Sequence, residues 1–493
     1  MNDLPRILTV LLAAVLAFQA GQVHAASRRG LARRLAALEA SPALKNAPWG
    51  LSVKYVDTGK TVAAVRADKS LVPASTMKVF VAAASLAALG PDHRFRTGLY
   101  RAGAVDADGT LHGDLVLKGG GDPTLGSTLM AGTRSLDELL DSWVKAVKDA
   151  GIRRVRGSVT ADNRLFSGPP DPGSWAWEDL GNYYAAPADA LSLHDNLYTL
   201  FFAPGKAAGE LARFLRAEPQ PPQLDFDNEM LTGPAGSGDN GYVYCVPGQH
   251  RATLRGTLPA GTPEYSIQGA IPEPSMFAAG SLMRRLEAAG VAVSGPSAYV
   301  GDSADLTGAA LLAEEISPTL TDIARVTIRR SVNLYAEMLA RALALKAGRP
   351  GSAQEGLAAI RDFLRSTGVD LTGLRLADAS GLSRQDAVPP ETFVDFLAAM
   401  SRHPSFPAFR DTLAVPGPDD VTGKVRGFGQ GALDGCLHFK SGFMTGARSY
   451  CGYLKDAEGR LLAFAFIVNH HASSRAEVEA LLTDVLAGLA GEK

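Results

Sequence analysis

Ser75-Thr76-Met77-Lys78 sets a hydroxyl and an amine three positions apart. On a helix, residues at that spacing share a face. A serine hydroxyl is a poor nucleophile until a base takes its proton. A lysine can be that base once burial or a neighbouring cation favours its neutral form. Helix N-termini also favour developing negative charge. By itself Ser-x-x-Lys recurs by chance, and a capping serine followed by a solvated lysine is its commoner meaning. The segment after it argues otherwise. Val79, Phe80, Val81 and Leu86 among alanines predict a helix from Ser75 to Leu89, apolar nearly all round and therefore central.

Two further groups carry compatible chemistry. Ser331 and Asn333 are two apart, so they face together only at a bend between helical runs; Ser317-Pro318 is expected to open the preceding helix. A second hydroxyl beside a nucleophile can relay a proton to a leaving group, and an amide can hold a peptide carbonyl. Lys440-Ser441-Gly442-Phe443 sits in an expected strand. Lys440 brings positive charge and Ser441 a donor for a carboxylate. Gly442 leaves room for a substrate backbone to dock as an added strand. Alone, this tetrapeptide reads equally well as an edge strand guarded by a lysine.

Together, in this chain order, the three groups resemble the motif set shared by β-lactamases and penicillin-binding proteins. The chain resembles the DacB-type low-molecular-mass penicillin-binding proteins, D-alanyl-D-alanine carboxypeptidase/endopeptidases. Gly113-Asp114-Leu115, Gly119 to Leu125, Trp175 to Leu180 and Asp378 to Arg384 agree with that pattern, as does the long gap between Ser75 and Ser331. It departs from the pattern at Ser441 (commonly Thr), Val332 (often Asp) and Ala379 (often Gly). The resemblance implies Ser75 as nucleophile, Lys78 as its base, and Ser331 with Asn333 for proton relay and substrate amide binding. It implies Lys440 and Ser441 as the carboxylate site, and the N–H groups of Ser75 and Phe443 as the oxyanion hole. The implied substrates are peptidoglycan stem peptides, with β-lactams as covalent inhibitors and no metal or organic cofactor. A serine β-lactamase and a catalytically weak wall-binding protein are the alternatives; the long insertion weighs against the first and the intact motifs against the second.

The elements that must position these residues come from both ends of the chain. Leu51–Val56 and Thr61–Val65 read as a hairpin turning at Asp57-Thr58-Gly59. Leu437–Phe443, Arg448–Leu454 and Leu461–Val468 read as three strands, followed by a helix opened by the Ser474/Glu477 capping pair. An α/β (α+β) fold follows, one antiparallel sheet flanked by helices, as in penicillin-binding proteins and β-lactamases. Residues 26–90 and 269–493 are assigned to this catalytic domain. Residues 91–268, rich in Gly and Pro with a helix from Ser135 to Gly151, are assigned to one or two inserted domains.

The 493 residues carry a net charge of −2, with 46% hydrophobic and 20% charged side chains. That balance gives no sign of a nucleic-acid binder. Arg6, the apolar run Ile7–Ala17 and Val23-His24-Ala25 form a signal-peptide pattern, with cleavage expected after Ala25 or Ala26 and export to the periplasm. Three cysteines, Cys245, Cys436 and Cys451, are too few for a disulfide scaffold and fit no zinc spacing. The turn at Thr445-Gly446 sets Lys440 opposite Cys451 and Cys436 opposite Lys455. The two sulfurs then sit roughly 13 Å apart along the strands, and a 436–451 disulfide is not expected.

Overall fold

The computed structural model describes residues 29–302, 304–417, 425–428 and 433–491; the expected signal peptide lies outside the described residues. The sheet expected from the two ends of the chain has five antiparallel strands in the order Leu437–Met444, Ala447–Lys455, Leu461–Asn469, Trp49–Tyr55, Thr61–Val65. Both chain ends therefore build one sheet, with Trp49 opposite Val468 at their junction. The strand Leu461–Asn469 shows why it lies near the centre. Ala463, Ala465 and Ile467 face one core and Leu462, Phe464, Phe466 and Val468 the other, all buried. Period-two alternation with both faces covered gives an unbroken apolar run.

On the first face lies the expected central helix. It begins as a 3₁₀ turn, Ala74–Met77, and becomes α-helical at Lys78–Leu89, so Ser75 sits on the tighter turn. Val79 to Leu86 are all buried, and Phe80 stacks on Phe393 at 4.8 Å and meets Phe396 edge-on at 5.0 Å. The helices Leu320–Arg329, Asn333–Lys346 and Pro390–Met400 share this core. The first of them is capped by Thr319, whose hydroxyl accepts from the Asp322 N–H; Ser317-Pro318 precedes the helix rather than opening it. On the other face the helix at 29–40 and the C-terminal helix Arg475–Ala490 cover the sheet. The latter carries the anticipated Ser474/Glu477 capping box, a device that contributes about 1 kcal/mol.

The insertion extends beyond its expected end. Ala310–Ile316 pairs antiparallel with Arg96–Val105, with Ile316 opposite Arg96, and the helix Pro274–Ala288 packs into the same separate core. The expected boundary at 268 therefore moves to about Ile316. One seven-stranded and two three-stranded sheets share that core, and the segment enters and leaves side by side.

The hairpin register matches the sequence reading. Phe443 lies opposite Arg448, Lys440 opposite Cys451, and the Lys455 N–H donates to the Cys436 carbonyl at 3.1 Å. All three cysteines are free; burial pushes the Cys245 thiol up to about 12. Non-reducing peptide mapping of the purified protein is expected to return no linked 436–451 peptide. Finding that peptide would mean a slipped hairpin and a displaced Lys440.

Candidate active site

The turn carrying Ser75 is shaped by its neighbours. Ala74 has φ +46°, a left-handed conformation uncommon for a residue with a Cβ. Two glycines hold this turn from either side. A Cβ on Gly442 would stand 3.0 Å from the Ser75 nitrogen and 2.8 Å from the Pro73 carbonyl. Gly381, at φ +78°, packs directly against the Ala74 carbonyl. The Thr76 hydroxyl lies 2.7 Å from the Pro73 carbonyl oxygen and 3.0 Å from Ser449 Oγ, and the Ser449 hydroxyl donates to the same carbonyl, tying the turn to the second strand of the hairpin.

Lys78 is buried beneath this turn. Its Nζ lies 3.1 Å from Ser75 Oγ, 2.5 Å from Asn333 Oδ1 and 2.6 Å from the Ser380 carbonyl oxygen. A neutral lysine amine has two N–H donors and one lone pair. A neutral amine that donates to these two oxygens would turn its lone pair toward the Ser75 hydroxyl. Asn333 is fixed in turn by donating Nδ2 to the Tyr184 carbonyl at 2.7 Å.

Ser331 occupies the bend between the helices Leu320–Arg329 and Asn333–Lys346, at φ +63°. This left-handed residue breaks the helical run, so Ser331 and Asn333 line the same cleft. Lys440 Nζ donates to Ser331 Oγ at 3.1 Å and also to the Ser441 carbonyl. The strand Leu437–Met444 is the sheet's edge. Phe439 exchanges both backbone hydrogen bonds with Ala414, on the side away from the sheet. By alternation, the backbone groups of Ser441 and Phe443 also point off that edge, toward the cleft. The Arg448 guanidinium lies 4.0 Å from the Phe443 ring centroid and lines the same space.

All eight residues singled out by sequence thus converge: Ser75, Ser331, Asn333, Lys440, Ser441, Gly442 and Phe443 line one cleft, with Lys78 beneath its floor. The insertion supplies a wall that carried no assigned role, including Asp179, Tyr183, Tyr184 and Tyr242. Two stretches noted only for their resemblance meet there. Trp175 Nε1 donates to Asp378 at 2.8 Å, and Arg384 donates to Asp179 at 2.8 Å. Asp378 also accepts the N–H groups of Gly381, Leu382 and Ser383 at 2.6, 2.9 and 2.8 Å, closing the loop that offers the Ser380 carbonyl to Lys78. Among the described residues, no cluster of three or more His, Cys, Asp or Glu side chains could hold a metal ion.

This arrangement brings together the groups a serine acyl-transfer site would need: a hydroxyl, an adjacent amine, a second hydroxyl, a second amine and a strand edge. The profile of the D-Ala-D-Ala carboxypeptidase 3 (S13) family matches residues 31–488, nearly all of the described chain. The chain belongs to that family. The D-alanyl-D-alanine carboxypeptidase of Actinomadura sp. (strain R39) is 31% identical over 87% of this chain and 79% of its own. The D-alanyl-D-alanine carboxypeptidase DacB of Haemophilus influenzae is 26% identical, over 87% of this chain and 86% of its own. The crystal structure of penicillin binding protein 4 (dacB) from Haemophilus influenzae superposes with a TM-score of 0.76 at 24% identity, covering 90% of this chain and 96% of that one. The S13 enzyme is a serine peptidase with the penicillin-binding-protein fold expected from its sequence.

Proposed function

We propose that this S13 peptidase cleaves the D-Ala-D-Ala end of peptidoglycan stem peptides through an acyl-enzyme on Ser75. The observation that carries the proposal is Lys78 Nζ at 3.1 Å from Ser75 Oγ, buried beneath a cleft that also presents Ser331, Asn333, Lys440 and Ser441.

Lys78 takes the Ser75 proton as Oγ bonds to the carbonyl carbon of the penultimate D-Ala. The oxyanion is held by the N–H groups of Ser75 and Phe443. Ser331, in contact with Lys440, gives its hydroxyl proton to the leaving nitrogen as the C–N bond breaks and is refilled by the proton that Lys78 took from Ser75. Asn333 steadies the substrate amide, and Lys440 with Ser441 holds the terminal carboxylate. The free D-Ala amine departs, or a cross-linked donor chain does. Water then attacks the ester and Ser75 regains its proton. The substrate backbone adds to the open edge at Ser441 and Phe443.

β-Lactams fit the same site, the cleaved lactam amide standing for the D-Ala-D-Ala bond; a penicillin binding protein 4 structure from Haemophilus influenzae holds a β-lactam. The signal-peptide pattern before residue 26 supports export to the periplasm, where this substrate lies. Among the described residues, no helix is long and apolar enough to cross a membrane.

Mass analysis of muropeptides before and after incubation with the enzyme tests the proposal. Pentapeptide stems are expected to lose one D-Ala, and cross-linked dimers to fall to monomers if the endopeptidase route operates. An unchanged profile would overturn the proposal, and rapid nitrocefin turnover would favour a β-lactamase instead.

A further inference from the structure

The helix Asn333–Lys346 is buried from Asn333 to Ala344, yet three polar side chains run along one side of it. Asn333, Glu337 and Arg341 fall at i, i+4 and i+8, a single face. Burying such groups is costly unless each finds partners. Asn333 takes a hydrogen from Lys78 Nζ. Arg341 donates to the carbonyls of Ser167, Pro169 and Pro170 at 3.0, 2.5 and 3.2 Å, which fastens the insertion to this helix. Glu337, with 2% of its surface exposed, does neither. Its Oε1 accepts the consecutive backbone N–H groups of Ala379 and Ser380, at 3.0 and 2.9 Å. The carbonyl of Ser380 is the group that receives Lys78 Nζ at 2.6 Å.

We propose that Glu337 is a positioning residue for the general base: by clamping the N–H groups of Ala379 and Ser380, it fixes the Ser380 carbonyl and so aims the Lys78 lone pair at Ser75. Two of the oxygens that hold Lys78 then answer to one helix, Asn333 directly and Ser380 through Glu337. The requirement is for an acceptor at that point, not for a negative charge. Burial and the nearby Asp378 carboxylate push the Glu337 carboxyl up to about 8, against smaller opposing pulls from its hydrogen bond with Ser380, from Arg341 and from the Ala379 N–H. A largely protonated carboxyl still presents a carbonyl oxygen to two N–H donors, and so does a glutamine amide.

This inference rests on the Ser75–Lys78 reading, and saturation kinetics of acylation by a fluorescent penicillin separate the two. The full-length purified enzyme is compared with Glu337→Gln, Glu337→Asp and Glu337→Leu. Glu337→Gln is expected to stay within about threefold of wild type in both the acylation rate constant and the pre-acylation dissociation constant. Glu337→Leu keeps the volume and loses the acceptor. It is expected to lower the acylation rate constant on the order of 10²-fold, in the range of a disabled general base, with the dissociation constant within about threefold. Glu337→Asp draws the acceptor back by one methylene and should lower the rate constant about tenfold or more; it keeps the test open if the leucine variant does not fold. Wild-type acylation rates in the Leu or Asp variant would overturn the inference, as would a Gln variant as slow as the Leu variant. A loss confined to the dissociation constant would also overturn it, since a merely structural contact would spoil the cleft rather than the base. An unlabelled wild-type enzyme would instead overturn the Ser75–Lys78 reading itself.

Discussion

Ser75→Ala is expected to abolish covalent labelling by a fluorescent penicillin and to lower peptidase turnover on the order of 10⁴-fold or more, the scale seen when a serine nucleophile is removed. The expectation follows from the geometry around Oγ. Gly442 and Gly381 crowd the backbone of the Ser75 turn, and Lys78 Nζ stands 3.1 Å from the hydroxyl. Replacing the serine by alanine removes one oxygen and leaves those contacts in place, so the variant should melt close to wild type. Gel fluorescence with intact-protein mass measurement reads the result directly. Labelling of the variant at the wild-type rate would place the nucleophile elsewhere.

Lys78→Arg is expected to cut acylation by about 10²- to 10⁴-fold, the usual contribution of a positioned general base, and to erase the rise of rate with pH. Only the neutral amine can accept the Ser75 proton, so wild-type acylation should climb as pH rises and Lys78 loses its own proton. A guanidinium stays protonated across that range, so the arginine variant has no such limb. Lys78→Met fits the buried site without a charge and should show the same loss. Stopped-flow acylation between mildly acid and alkaline pH checks both variants. A flat wild-type profile would remove Lys78 from the role of base.

The parts of the site that were legible in the sequence are those fixed by local geometry. Ser75 and Lys78 needed only the three-residue spacing of a helical turn. The pairing of Lys440 with Cys451 needed only a two-residue turn at Thr445-Gly446, because alternation then sets every position along both strands. The meeting of Ser331 with Asn333 at a bend followed from their spacing and was met by a left-handed backbone at Ser331. What escaped notice was carried by the main chain or by distant pairing. The Ser380 and Tyr184 carbonyls leave no trace in residue type, since any amino acid supplies one. Glu337 looks, on its face, like one more glutamate in a helix. Ala310–Ile316, with its run of Ala, Leu and Glu, has the composition of a helix, and only pairing with Arg96–Val105 makes it a strand. Seen from sequence alone, the insertion therefore stopped too early.

The order of strands in the catalytic sheet also governs when activity can arise as the chain is made. The strand at Trp49–Tyr55 must wait for Leu461–Asn469, and Ser75 must wait for Gly442 and Lys440. Pairings between residues so far apart close large loops and are slow to form. The segment from Arg96 to Ile316 has its own core and adjoining ends, so it can settle first without holding the rest. Without the hairpin Leu437–Lys455, Ser75 and Lys78 have no lysine-bearing edge against them. Competence as a peptidase thus depends on the hairpin Leu437–Lys455 reaching the turn that carries Ser75.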